Sequence, residues 1–303
     1  MLNNAFPKVS VVIPNYNRAD CLERCLDSLV AQTFNDFEVL ICDDGSTDNS
    51  EEVVNRYVGK FNLKFETAPN FGGPARPRNL GILSSRAPYI AFLDSDDWWA
   101  PNKLFNSIPI LDAGADLVYH DLYIVRSKHQ AKYKNKIRST RPQIPMFHSL
   151  LCTGFSIPNS SVVIRKKILE KIDGVTEDKD LISVEDYDTW IRVAQITERF
   201  VRLDTCDGYY WIGGGNISTA SQLQQFKIGK LYSRHIEFLP KKMRGIAEKF
   251  LDYRIGRIAL SHGDYIQARN SFIKVLGSSV KYRYQLKAFI FLVQSLWHMK
   301  FSQ

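Results

Sequence analysis

The first hundred residues alternate between short apolar runs and helical patterns, and this alternation restricts the fold more than any other feature. Val9-Ser10-Val11-Val12-Ile13, Phe37–Cys42, Leu63–Glu66 and Tyr89–Leu93 read as strands. Between them, Leu22, Leu26 and Leu29 recur at helical spacing behind Asp20, which is placed to cap that helix. Ser46-Thr47-Asp48 opens a second helical stretch through Glu51, Val54 and Tyr57, and a third lies near Arg78–Ser85. Strand and helix in alternation predict a mainly parallel sheet with right-handed crossovers and helices on its faces.

Acids stand where these strands stop. The run at residue 89 leads into Asp94-Ser95-Asp96-Asp97, and the strand before it ends at Asp43-Asp44. In open α/β sheets ligands collect outside the carboxyl ends of strands. Carboxylates there suit a hard divalent cation, Mn²⁺ or Mg²⁺, which often holds substrate phosphates as well. The plainer reading is a strand-end turn with solvated aspartates. A third acidic pair, Glu185-Asp186, opens a helix through Ala194, where the macrodipole favours negative charge. A carboxylate there is placed to act as general base on an acceptor hydroxyl. Arg78, near Gly72-Gly73, is placed to neutralise phosphate; the alternatives are a surface ion pair and an ordinary turn.

Taken together these segments resemble family 2 glycosyltransferases. The resemblance rests on Val9–Arg18, Leu29–Phe34, Val39–Asp48, Arg78–Ile82, Ile90–Asp97 and Ser183–Arg192, in that order, over roughly residues 8–220. It implies a GT-A (Rossmann-like) mixed, mainly parallel sheet flanked by helices, followed by an all-helical C-terminal extension. The expected boundaries are a catalytic domain at 1–221 and a basic helical extension at 222–303. It implies a nucleoside-diphosphate sugar, UDP-linked, as donor, and a glycan or polyprenyl-linked acceptor, with inversion at the anomeric carbon. Pro14, Tyr16, Arg18 and Asp43 or Asp44 would hold the nucleoside. Asp94-Ser95-Asp96 would form the DxD site at the diphosphate, with Asp96 on the metal and Asp94 toward the ribose or donor sugar. Arg78, in competition with Arg76, would meet the phosphates. Asp186, beside Glu185, would be the catalytic base. Trp98, Trp99 and Trp190 are candidates for stacking on sugars, and Gly213–Asn216 for a lid. A sugar-phosphate nucleotidyltransferase is disfavoured because Pro14–Arg18 replaces the glycine-rich loop such enzymes carry. An inactive donor-binding or scaffold protein is disfavoured by the retention of all three acidic sites.

Charge adds a second theme. The chain has 303 residues and a net charge of +8, yet residues 226–303 hold 15 Lys/Arg against 4 Asp/Glu, a net +11, leaving −3 for the rest. Ser127–Arg141 is another basic stretch and reads as an exposed excursion. Without a nucleic-acid motif, the tail points to an anionic membrane surface or to solubility. Its last helix, Tyr284–Trp297 between lysines and arginines, is too short to span a bilayer and suits a membrane interface, a packed helix or a homodimer. With no CxxC pair, the 5 cysteines read as free thiols. The N-terminus lacks a signal-peptide pattern. A cytoplasmic enzyme, peripheral at the inner face of the cell membrane, is the expectation.

Overall fold

The computed structural model describes residues 6–127, 130, 132–154, 156–213 and 220–301. They fall into two compact units, one drawn from Met1–Pro142, Ser156–Glu177 and Ile196–Gly215, the other from Gln143–Phe155, Asp178–Gln195 and Asn216–Gln303.

The strands all belong to the first unit: β1 (Val9–Asn15), β2 (Phe37–Asp43), β3 (Asn62–Thr67), β4 (Tyr89–Phe92), β5 (Trp98–Trp99), β6 (Leu117–Tyr119), β7 (Leu122–Val125), β8 (Lys136–Ile137), β9 (Val163–Arg165), β10 (Phe200–Arg202) and β11 (Gly208–Trp211). Seven form one sheet in the order β10-β6-β9-β4-β1-β2-β3. β1, β2, β3 and β4 run parallel, as do β10 and β6, whereas β9 lies antiparallel between β4 and β6. The mixed, mainly parallel sheet expected from the sequence is therefore present. Every residue of β1 and of β2 is buried. That is why they read as unbroken apolar runs rather than alternating ones.

Helices α1 (Ala19–Val30), α2 (Ser50–Asn55), α3 (Ala75–Ser84) and α4 (Lys103–Asp112) connect these strands. Leu22, Leu26 and Leu29 of α1 join Val11, Ile13, Val39 and Ile41 in one core cluster. α3 comes so close to β1 that a Cβ on Gly81 would lie 2.5 Å from Val12 Cγ1; only glycine allows that approach. Asp20 falls inside the first turn of α1 and its side chain does not cap it. Instead Asp48 accepts from the Ala19 amide at 2.9 Å. The same residue accepts from the Ser50 amide at 3.1 Å, so the second helix starts later than its sequence suggests.

The chain runs β1, β2, β3 outward on one side and then returns to place β4 on the other side of β1. This reversal makes the gap between β1 and β4 a topological switch point, where a crevice opens at the carboxyl ends of the strands. A smaller sheet, β5-β11-β7-β8, begins two residues beyond Asp96.

The second unit is helical. It contains α5 (Met146–Thr153), then, after α6 (Lys166–Glu170) of the first unit, α7 (Glu185–Ala194), α8 (Gln222–His235), α9 (Lys241–Ser261), α10 (Tyr265–Val275) and α11 (Tyr282–Phe301). Its core includes Leu150, Trp190, Leu231, Phe250 and Phe272, all at most 2% exposed. Arg254 is half-buried, with its guanidinium 4.6 Å over the Tyr187 ring. The helical C-terminal region matches the sequence reading. All five cysteines are free thiols.

Candidate functional site

The segment after β1 and the segment after β2 lock each other. Pro14 is buried in β1, opposite Cys42. Asn17 takes a left-handed backbone (φ +50°), and its Oδ1 accepts from the Thr47 amide at 2.7 Å and the Asp48 amide at 3.3 Å. Asp43 Oδ1 accepts from Asn15 Nδ2 at 2.8 Å and from the Ser46 hydroxyl at 2.5 Å, while its Oδ2 accepts from the Ser46 amide at 2.7 Å. Asp44 accepts from the Phe71 amide at 2.8 Å and the Gly72 amide at 3.0 Å, which ties down the loop before α3. Both aspartates are at most 3% exposed. Tyr16 stands out from this frame, about half exposed.

The turn after β4 is different. Asp94 Oδ1 accepts from Arg78 Nη2 at 2.7 Å and from Asn159 Nδ2 at 3.0 Å, and its side chain remains 29% exposed. Arg78 itself is buried, held at this point by α3. Arg76 pairs through its Nε with Glu177 at 3.0 Å. Ser95 is buried. Asp96 faces Arg18, with Oδ2 3.9 Å from Nε. Burial, then the nearby Asp94 charge, push the Asp96 carboxyl up to about 6 despite the opposing pull of Arg18. Asp97 is buried and fully used: Oδ2 accepts from the Ser160 hydroxyl at 2.6 Å and Oδ1 from the Trp211 amide at 2.9 Å. Burial and the neighbouring acids raise its pKa well above the carboxylate range. It ties the turn after β4 to Ser160 and to the end of β11.

Pro14, Tyr16, Arg18, Asp43, Asp44, Arg78, Asp94, Ser95 and Asp96 thus all lie in the first unit, at the carboxyl ends of β1, β2 and β4 or on the helix start that meets them. Glu185 and Asp186 belong to the second unit, in the first turn of α7. Glu185 is buried, Asp186 half-buried. The neighbouring Asp188 is a structural acid. Burial opposes its ionisation, but His235 Nε2 at 2.7 Å and Arg192 Nε at 2.7 Å outweigh that and lower its pKa.

Sequence reasoning did not single out Asn159, Ser160 or Arg24. The first two sit in a 3₁₀ turn at Asn159–Ser161 with no motif around them, yet hold Asp94 and Asp97. Arg24 donates from Nη2 to the Asp96 carbonyl at 2.9 Å. Its signal was a charge beside the buried stripe of α1. Trp99 and Trp190 are core residues, at most 2% exposed, and cannot stack on a ligand; Trp98 is half-buried. Gly214, Gly215 and Asn216 lie outside the described residues.

Among the described residues no three or more His, Cys, Asp or Glu side chains group as a ready-made metal cage. Asp94 and Asp96 instead supply two hard oxygen donors, and burial together with the nearby Asp94 charge raises the pKa of Asp96. That set fits a Mg²⁺-like ion taking one or two carboxylates, with water and phosphate oxygens as its other ligands.

Comparison with known proteins gives the family and the fold. The chain is 26% identical over 211 residues, 69% of its length and 79% of the relative's, to the Escherichia coli UDP-Glc:alpha-D-GlcNAc-diphosphoundecaprenol beta-1,3-glucosyltransferase WfaP. It spans 53%, 15% and 10% of the length of three further curated relatives. Its fold superposes on Staphylococcus aureus TarS 1-349 in complex with UDP-GlcNAc with a TM-score of 0.66 at 22% identity, covering 95% of this chain and 89% of that one. For the mannosyltransferase PcManGT of Pyrobaculum calidifontis, in complex with GDP-Man and Mn2+, the TM-score is 0.60 at 16% identity, covering 97% and 87%. Residues 10–173 match the family described as Glycosyl transferase family 2. The chain belongs to glycosyl transferase family 2, on a GT-A-like fold.

Proposed function

We propose that this chain transfers a sugar from a UDP-linked donor to a hydroxyl of a glycan or lipid-linked acceptor, inverting the anomeric centre. The observation that supports this reading most is the pair Asp94–Asp96 at the β1/β4 switch point, backed by Arg78 and Arg18 and left with oxygen capacity to spare. Tyr16 and the loop frame built on Asp43 and Asp44 would receive the nucleoside. In this role Asp43 and Asp44 act through the loops they hold, since their oxygens already accept from neighbouring groups. Asp94 and Asp96 would hold Mn²⁺ or Mg²⁺ with the diphosphate, and such an ion offsets charge on the departing nucleoside diphosphate. Asp186 would take the proton of the acceptor hydroxyl, with Glu185 buried beside it to orient the turn. The metal-bearing PcManGT complex and the UDP-GlcNAc complex of TarS are consistent with both groups.

The helical region supports a membrane-facing role. Leu286, Phe289, Ile290, Val293 and Trp297 are exposed on α11 at helical spacing, and residues 265–303 contain no Asp or Glu. An apolar stripe among cations suits an anionic lipid surface better than a second copy, whose equal charge would repel it. No helix among the described residues is long and apolar enough to cross a membrane. The reading as a whole is tested by following UDP release from a panel of UDP-sugars with Mn²⁺ present. A sugar that gives metal-dependent release supports it, and release from none refutes it.

A further inference from the structure

The small sheet of the first unit has a row of side chains that the donor chemistry does not use. Trp98 on β5 faces Tyr209 on β11, Tyr209 faces Tyr123 on β7, and Tyr123 faces Lys136 on β8. Directly opposed residues share a face, so one straight row crosses all four strands. Ring centroids are 5.1 Å apart for Trp98–Tyr209 and 5.6 Å for Tyr123–Tyr209, and the Lys136 ammonium lies 4.7 Å over Tyr123. Tyr133, from the β7–β8 connection, folds back with its ring edge-on 4.8 Å from Tyr209.

Two observations set this row apart from ordinary packing. It starts two residues past Asp96, and Arg24 joins the two, donating to the Asp96 carbonyl while its guanidinium lies 3.9 Å over the Trp98 ring. At its other end it meets β8, which lies within residues 126–141, a stretch with seven Lys/Arg and no Asp/Glu. Lys132 and Lys134 flank Tyr133 and are exposed, as is Lys136, and among the described residues no acid pairs with any of the three. Among the described residues, the ion pair that this stretch makes, Arg141 with Asp204, lies beyond them. Tyr133 is the sole large apolar side chain exposed among the described hairpin residues, so a bilayer would find no aliphatic surface.

Stacked on one another, these rings present apolar edges and phenolic hydroxyls, which suit the mixed surface of a sugar, and cations without an acidic partner suit anionic substituents. We propose that the acceptor is an anionic glycan chain, phosphate- or carboxylate-bearing. It lies along Trp98, Tyr209 and Tyr123, with its negative groups on Lys132, Lys134 and Lys136. The proposal rests on the glycosyl-transfer reading for its purpose, but its test does not depend on turnover.

The test is fluorescence anisotropy on the full chain with labelled polyphosphate, polygalacturonate and neutral dextran, beside UDP binding. We expect one or both polyanions to bind and dextran not to, with affinity falling steeply from about 50 to about 300 mM salt. Which polyanion binds tells phosphate from carboxylate. Changing Lys132→Gln, Lys134→Gln and Lys136→Gln together should weaken polyanion binding about ten-fold or more, by loss of local steering and attraction. Tyr123→Ala should weaken it as well, with UDP binding unchanged in both variants. Lys274→Gln, Lys287→Gln and Lys300→Gln together make the same charge change in the tail. Equal weakening by that control, equal binding of dextran, or capture of phosphatidylglycerol vesicles through the hairpin lysines with both polymers failing would each overturn the proposal. Loss of UDP binding by the unaltered chain would instead strike the glycosyl-transfer reading.

Discussion

The strand ends after β2 and after β4 lie on either side of β1, with similar acidic sequences and different states of hydrogen bonding. Asp43 and Asp44 have spent their oxygens on Asn15, Ser46, Phe71 and Gly72. Asp94 and Asp96 are partly exposed, crowd each other and lean on cations. An acid whose lone pairs are all met within the fold orders loops, whereas one left short of donors has capacity for a ligand. Position at the sheet edge does not separate the two, but the accounting of oxygens does.

Asp186→Asn should lower sugar transfer by about 10³-fold, the scale of a lost general base, while UDP binding stays within about two-fold. Near-normal turnover in that variant would move the base elsewhere, with Glu185 the next residue to test. Asp43→Asn should behave as a folding variant, destabilising by about 1–3 kcal/mol in urea titrations because the Ser46 amide and Asn15 lose a charged acceptor. It should keep metal-dependent UDP binding; a purely functional defect at full stability would erase the distinction between the two strand ends.

Lys103 extends the comparison to a cation. It is fully buried, its ammonium has no hydrogen-bond acceptor, and burial holds its pKa well below the lysine range. The unfolded chain then binds a proton that the folded chain does not, so stability rises with pH up to about 10. Lys103→Met should stabilise by about 1–3 kcal/mol at pH 7, and the gain should shrink as pH approaches 10. A gain independent of pH, or none, would mean that the ammonium is paired. The smallest effect concerns α11: Phe289→Glu with Ile290→Glu should abolish sedimentation with phosphatidylglycerol vesicles at low salt without changing UDP release. A change from dimer to monomer on sizing, with vesicle binding absent throughout, would assign the stripe to a second copy.

The parallel core was legible because β1, β2 and β4 are buried on both faces, which leaves a mark in hydrophobicity. β9 was legible as a strand at Ser161–Ile164 but its antiparallel direction was not, since a short apolar run reads the same whichever way it points. β5 escaped notice because Trp98-Trp99 read as ligand-stacking side chains, and the pairing partner that makes them a strand lies over a hundred residues away at Gly208–Tyr209. Asp94 and Asp96 were visible as a spacing. What the spacing did not disclose was which acids are spent, because the donors come from Asn159, Ser160 and backbone amides with no motif of their own.

On the proposed function, Asp94 and Asp96, unlike Asp43 and Asp44, would hold a divalent cation with a nucleoside diphosphate. Titrating UDP into the unaltered chain, Asp96→Asn and Asp43→Asn by calorimetry, with Mn²⁺ and again with EDTA, tests it directly. The account predicts Mn²⁺-dependent binding in the unaltered chain and in Asp43→Asn, and binding in Asp96→Asn that is weak and indifferent to metal. UDP binding of equal strength with Mn²⁺ and with EDTA in all three proteins would contradict it.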